Sequence, residues 1–227
     1  MDINCISLGV NRLGRKNQAY EYLKQAIINN ELPQGSALRE AEISERLKMS
    51  RSPIREALRD LEAEGVVVSY PARGTFVATI TPYDVEEIYE LRTLFEVYAL
   101  EKAIHRITDE DLDRAEANFL AENEPFNWEH YHAADRDFHQ LILDRCCNRR
   151  LSGFMANLNT QVERIRIYSD KNTARSKDER LAEHLQIISC IRRRDLDASI
   201  IALKEHLRNV SNAAIETCKV LAMEDSN

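Results

Sequence analysis

Asp135, His139, His184 and His206 are the residues of this 227-residue chain whose types and spacing could do metal chemistry. In "HAADRDFHQLI", Asp135 and His139 stand four residues apart and so share one face of a helix, whereas Asp137, two residues from His139, points away. His184 and His206 sit in two later Glu-His-Leu triplets, residues 183–185 and 205–207, each followed by apolar residues, so both can turn toward one helical interior. One carboxylate and three imidazoles suit zinc, nickel or another divalent ion, with coordination positions left for water or a ligand. Each histidine read singly can instead be a buried hydrogen-bonding residue. His105, His130 and His132 read as surface or packing residues. An open metal could also activate water, but that needs a general base close by. Glu183 and Glu205 adjoin the histidines yet are expected to point off the ligand face, and no nucleophile triad is visible, so no catalytic residue is assigned.

A second chemistry lies in "MSRSPIREALRDLEAEGVV", residues 49–67, where Arg51, Arg55 and Arg59 recur every four residues beside Ile54, Ala57, Leu58 and Leu61. Helical spacing buries the apolar row and leaves the arginines on a neighbouring exposed face. The formal net charge of the chain is −7, but residues 1–80 hold 11 Lys/Arg against 10 Asp/Glu, and residues 81–227 hold 20 against 28. From Arg46 to Arg59 there are five basic residues and one acidic residue, Glu56. Screening beyond about 8 Å at physiological salt lets such a patch meet a polyanion in spite of remote acidity.

The elements that must hold these groups follow from periodicity. Ala19, Leu23, Ala26 and Ile27 predict a helix over about 16–30, stopped by "NNELPQG", and Ile43 and Leu47 predict a second over about 39–48. A third helix starts at Ser50 to Ser52, whose hydroxyls can cap it, tolerates Pro53 in its first turn and ends at Gly65. Two β-prone runs, Val66–Val68 and Thr75–Val77, flank a turn with Pro71 and Gly74 and form a hairpin. Three helices and a hairpin, with the short turn "LKMS" before the basic helix, match a winged helix-turn-helix, whose third helix enters the major groove of DNA. There an arginine can pair with guanine, hydroxyls can meet phosphates, and Arg73 at the hairpin tip can reach the backbone or minor groove.

After the linker "TITPYD", Pro125 is the sole proline and Gly153 the sole glycine, so helices run with little interruption. Six are predicted, at about 83–105, 109–122, 128–146, 149–169, 174–194 and 196–221, and "TDED" at residues 108–111 reads as a helix cap. The fold class expected is mainly α: a winged helix-turn-helix over residues 1–80, with residues 1–14 as an unpatterned mobile arm, and an all-helical domain over residues 81–227. Five cysteines without a C-x-x-C pair imply a reducing compartment, and no run approaches the roughly 20 apolar residues of a membrane span. A cytoplasmic protein with no membrane partner is expected.

The run "LPQGSALREAEISERLKMSRSPIREALRDLEAEGVVVSYPARGTFVA" resembles the DNA-binding domain of the GntR family of bacterial transcription regulators. The L-P-x-G turn, L-x-E, S-R-x-P-[IV]-R-E-A-L and R-G-x-x-V features carry the likeness over about Tyr20 to Ala78. It implies that Arg39, Ser50, Arg51, Ser52, Arg55, Arg73 and Gly74 contact operator DNA, and that a homodimer binds a roughly palindromic double-stranded site. The segment "YELRTLFEVYALEKA", with D-x-x-x-H and the two E-H-L motifs, resembles the FCD sensor domain of the FadR-like branch over about Val85 to Ala214. Six predicted helices place it nearer the VanR-like group than the acyl-CoA-binding founder.

That second resemblance implies a metal at Asp135, His139, His184 and His206, zinc first with nickel or manganese as alternatives, whose coordination a small organic acid completes. It also matches Arg92 to a position that holds the effector carboxylate in some members; the other reading of Arg92 is an ion pair with Glu96, four residues on. Repression released by the acid is the expected mode. A purely structural metal, no metal, or a metal-dependent hydrolase are the competing readings.

Overall fold

The computed structural model describes residues 3–121, 127–170 and 176–224. It divides into two compact units, residues 1–81 with 157–171, and residues 82–156 with 172–227.

In the first unit, the apolar row Ala19, Leu23 and Ile27 lies along helix α1 (Ile3–Ile28). It packs on the row Ile54, Ala57, Leu58 and Leu61 of helix α3 (Arg51–Ala63), joined by Ile43 of helix α2 (Glu40–Leu47). Burying such a stripe is what makes short helices stable. α1 starts at Ile3 rather than near Lys16, so residues 3–14 are helical and not an unpatterned arm. The stretch contains no proline, and Ile3, Ile6, Val10 and Leu13 recur in it at helical spacing. Lys48 closes α2 in the left-handed region (φ 52°), turning the chain into Ser50 at the start of α3.

Strands β1 (Val67–Tyr70) and β2 (Gly74–Val77) pair antiparallel, with Val67 opposite Val77 and Tyr70 opposite Gly74. The chain before α2 lies along the other edge of β2: Leu38 N donates to Thr75 O at 2.8 Å and Gly35 N to Val77 O at 2.9 Å. Val66, Val67 and Val77 carry the hairpin into the helical core. The turn between α3 and β1 depends on Gly65, which holds φ +73°. Beside it, Gln161 Nε2 donates to the Glu64 carbonyl at 2.9 Å, and Arg164 donates to the Ala78 carbonyl.

The second unit is helical. Helix α4 (Pro82–Ala103) packs against α6 (Trp128–Cys146) and α9 (Leu196–Glu224); α5 (Asp109–Leu120) packs against α6 and α8 (Lys177–Arg192), and α8 against α9. Helix α7 (Arg149–Asp170) begins in this unit, and its residues from Asn157 onward cluster with the first. These six helices fall within a few residues of the expected spans; the predicted end at 122 and start at 174 lie outside the described residues. Thr108 and Asp111 form a reciprocal capping box at α5, and Ser176 and Glu179 another at α8. Asp111 also takes both Nη2 and Nε of Arg145, at 2.7 and 2.8 Å, tying α5 to α6. Leu100, Leu112, Phe138, Ile142, Ile187, Ile191, Leu203 and Leu207 fill the interior around the polar cluster described next.

Candidate metal centre and nucleic-acid interface

The four residues singled out for metal chemistry meet in the second unit. Helical spacing sets Asp135 and His139 one turn apart on α6, and α8 and α9 supply His184 and His206. All four are buried, and one ligand atom of each lies within 4.8 Å of the others. His184 Nε2 is 3.0 Å from Asp135 Oδ1, His139 Nε2 is 3.8 Å from the same oxygen, and the rings of His184 and His206 are centred 4.3 Å apart. Phe119 stacks on His184 at 4.4 Å and Phe138 closes a second side, so the cluster has an apolar wall.

The outer nitrogens decide what the cluster can hold. His139 Nδ1 is 2.6 Å from Glu96 Oε2, His206 Nδ1 is 2.9 Å from Glu183 Oε2, and His184 Nδ1 is 2.9 Å from the Arg180 carbonyl and 3.2 Å from the Tyr131 hydroxyl. Carboxylates and carbonyls only accept, so each Nδ1 carries the proton and each Nε2 carries a lone pair. The Nε2 atoms of His139, His184 and His206 are buried and make no hydrogen bond. Three orphaned lone pairs gathered with one carboxylate fit a divalent cation by donor set and by tautomer.

Charge follows the same plan. Burial drives His139 toward its neutral form against the pull of Glu96. For His206, burial with His184 alongside lowers the pKa to about 3. Burial would raise Glu96, but Arg92 and His139 together hold it down at about 2. The Arg92 guanidinium is itself buried and donates from Nε to Glu96 Oε1 at 2.6 Å, so the ion pair expected four residues apart is present.

Sequence reasoning missed two carboxylates. Glu183 points off the ligand face, as expected, and what the sequence did not show is that its side chain crosses to α9 and meets the outer nitrogen of His206. Glu96 was read as a partner of Arg92 alone, and only tertiary packing of α4 on α6 brings it to His139. Glu205 is exposed and pairs with Arg208 at 3.5 Å; His105 is exposed, and His130 Nε2 meets the Asn118 carbonyl at 2.9 Å.

In the first unit, the residues proposed to meet DNA are all exposed. Ser50 is the N-cap of α3 without a side-chain capping bond, contrary to the expectation that a serine would cap this helix, and Arg51 and Ser52 form its first turn. Arg55, one turn on, makes a two-bond pair with Glu40 at 2.7 and 2.8 Å. Glu40 is held below the usual carboxylate range by that pair first, then by Arg51 and Arg59. Arg39, at the start of α2, donates to Glu42 at 2.8 Å. Arg73 stands at the hairpin tip with its guanidinium 5.6 Å from the Tyr70 ring centre, next to Gly74 at φ 103°. Glu40 and Glu42, which pair with these arginines, were not singled out by sequence patterning.

Comparison with known proteins agrees with both halves. The FCD domain model matches residues 87–209, and the model of bacterial regulatory proteins of the gntR family matches residues 15–77. The transcriptional repressor RspR of Escherichia coli K12 is 28% identical over 213 residues, 92% of this chain and 91% of its own length. Escherichia coli McbR/YncC shares the fold with a TM-score of 0.73 at 20% identity, over 89% of this chain and 97% of that one. The zinc-bound FCD domain of TM0439 matches with a TM-score of 0.54 at 21% identity, over 61% of this chain and 96% of that domain. No described helix is long and apolar enough to cross a membrane. These families are transcription regulators and not enzymes. The chain belongs to the GntR family of bacterial transcription regulators, in the FadR-like branch that joins a winged helix-turn-helix to an FCD domain.

Proposed function

We propose that this regulator is a homodimeric repressor that binds a roughly palindromic operator and is released by a small organic acid bound at a metal in its FCD domain. The observation that carries the sensor half is the set of three buried Nε2 atoms without hydrogen bonds, beside Asp135. Zinc is the first candidate, supported by the zinc-bound FCD domain of TM0439; nickel and manganese are alternatives that the same donor set accepts. Asp135, His139, His184 and His206 hold the ion, and an acid carboxylate takes an open position on it.

Arg92 lies close enough to Asp135 to feel its charge, which supports a role in drawing an anionic effector to the site. On DNA, Arg51 and Arg55 read the major groove from α3, with Ser50, Ser52 and Arg39 on phosphates and Arg73 with Gly74 at the wing. The Arg55 pair with Glu40 is exposed and exchanges for a phosphate or base contact on docking. The four described cysteines are free, which agrees with a cytoplasmic setting. Relatives that repress, RspR among them, support repression as the mode.

The test is elemental analysis of the purified protein beside Asp135→Ala and His206→Ala, followed by operator titration with and without a panel of di- and tricarboxylic acids. Near-stoichiometric metal lost in both variants, with an acid that weakens operator binding only in the loaded protein, is the expected result. Full metal in either variant rejects the ligand set.

A further inference from the structure

The four inner ligands come from α6, α8 and α9, yet a fourth helix is tied to the centre. Glu96 on α4 is fully buried and divides its oxygens: Oε1 takes Nε of Arg92 at 2.6 Å, and Oε2 takes Nδ1 of His139 at 2.6 Å. A carboxylate that served only to neutralise Arg92 would take the two parallel bonds of a fork. Here one oxygen is given to the imidazole instead. Glu183 repeats the arrangement from α8, with Oε2 on His206 Nδ1 at 2.9 Å and Oε1 held by Asn209 Nδ2 at 2.8 Å, one turn further along α9. In both cases the carboxylate is itself fixed by a second donor, which sets the ring's rotation as well as its tautomer.

We infer that Glu96 and Glu183 are positioning residues for the metal, and that Arg92 acts on the same centre by holding Glu96. This rests on the metal reading above. Each carboxylate keeps the proton on Nδ1, aims Nε2 at the ion and makes the imidazole a stronger donor. The third histidine is served differently, by the Arg180 carbonyl of its own helix. Glu205, the matching residue of the second Glu-His-Leu triplet, faces solvent and has no such role. The consequence is that α4, which supplies no ligand, is clamped to α6 through the metal site, so loading the site and ordering α4 are linked.

Chelator competition with zinc on the full chain tests this in the wild type and in Glu96→Gln, Glu183→Gln and Glu205→Gln. The two positioning variants should each bind zinc about 10- to 100-fold more weakly at unchanged saturating stoichiometry, with Glu205→Gln like the wild type. Cobalt-loaded Glu96→Gln and Glu183→Gln should show a shifted visible spectrum, which a merely structural carboxylate would not produce. Glu183 is near the surface, so its variant carries the test if loss of the buried Arg92 partner unfolds Glu96→Gln. Folded glutamine variants with wild-type zinc affinity and cobalt spectrum overturn the assignment while Asp135→Ala still loses metal. A wild type that takes up no metal overturns the metal reading and this assignment with it.

Discussion

His184 Nε2 and Asp135 Oδ1 face each other at 3.0 Å across α8 and α6 without a hydrogen bond between them. His184 commits its Nδ1 proton to the Arg180 carbonyl, so both facing atoms present lone pairs. A cation between them turns that repulsion into two bonds. Zinc at a hundred times its dissociation constant should therefore stabilise the fold by about 2.7 kcal/mol, a rise in Tm of roughly 5–10 °C for a chain of this size. Scanning calorimetry with and without zinc measures it, and Asp135→Ala should lose most of the rise. Equal melting with and without zinc in the wild type would count against the centre.

Acid should weaken the metal-free protein before its carboxylates titrate. His139 and His206 are held neutral by burial, His206 down to about 3, whereas an unfolded histidine titrates near 6.5. As pH falls through about 6.5 the unfolded chain takes up protons that the folded chain refuses, so stability declines with falling pH and is unaffected by these groups above about 7.5. Glu96, held at about 2, adds loss in the same direction as pH drops below about 4, where its unfolded counterpart protonates. Urea midpoints of chelator-treated protein at pH 8, 6.5 and 5 should fall in that order, and His206→Gln should flatten the series. Identical midpoints at pH 8 and 5 would contradict the burial argument.

The six C-terminal helices were legible because proline and glycine scarcely interrupt residues 83–222 and because Thr108 caps α5, and helical spacing then applies to the residues within them. The same logic placed Asp135 and His139 on one face, since a spacing of four is local information. What it could not place is how side chains cross between helices. The reach of Glu183 to α9 and of Glu96 to His139 depends on interhelical distance and on which way a flexible carboxylate turns, and neither is encoded by spacing. The early start of α1 was obscured for a different reason: Gly9 and Gly14, weak helix formers, interrupt residues 3–14, although Ile3, Ile6, Val10 and Leu13 recur there at helical spacing.

Glu40 bears on the DNA contacts proposed above for α3. Its carboxylate occupies Arg55 and lies within electrostatic reach of Arg51 and Arg59. Glu40→Gln should raise affinity for nonspecific duplex several-fold, measured by fluorescence anisotropy at fixed salt, because one negative charge leaves the approach path. Arg51→Ala should instead weaken the specific operator by about 10- to 100-fold and narrow the gap to nonspecific DNA. Unchanged operator binding in that variant would remove Arg51 from base readout.

Gly65 is needed for its backbone more than for its lack of bulk. It holds φ +73°, and a Cβ built there would meet Gln161 Nε2 at 2.8 Å, the movable end of a side chain. Gly65→Ala should cost about 1–2 kcal/mol from the left-handed backbone, with part of the Gln161 bond to Glu64 lost as well. Gly65→Asn, which tolerates that region better, should recover part of the loss in a denaturant titration. A fully stable alanine variant would mean that the turn relaxes without penalty.

The homodimer proposed above has a candidate face in α4. Leu91, Leu94 and Tyr98 are 46, 63 and 41% exposed at a spacing of three and four residues, so they form one stripe, and Phe154, 65% exposed, extends it by stacking its ring 6.4 Å from Phe95. Contiguous apolar surface of this kind marks an interaction site, and the two-fold operator proposed above requires a second copy of the chain. Leu94→Asp should shift sedimentation from dimer to monomer at micromolar concentration while leaving the helical circular dichroism intact. Operator affinity should fall with it by about a hundredfold or more, because two linked readers gain from each other's local concentration and two separate ones do not. A Leu94→Asp protein that stays dimeric would move the interface to another surface of the helical unit.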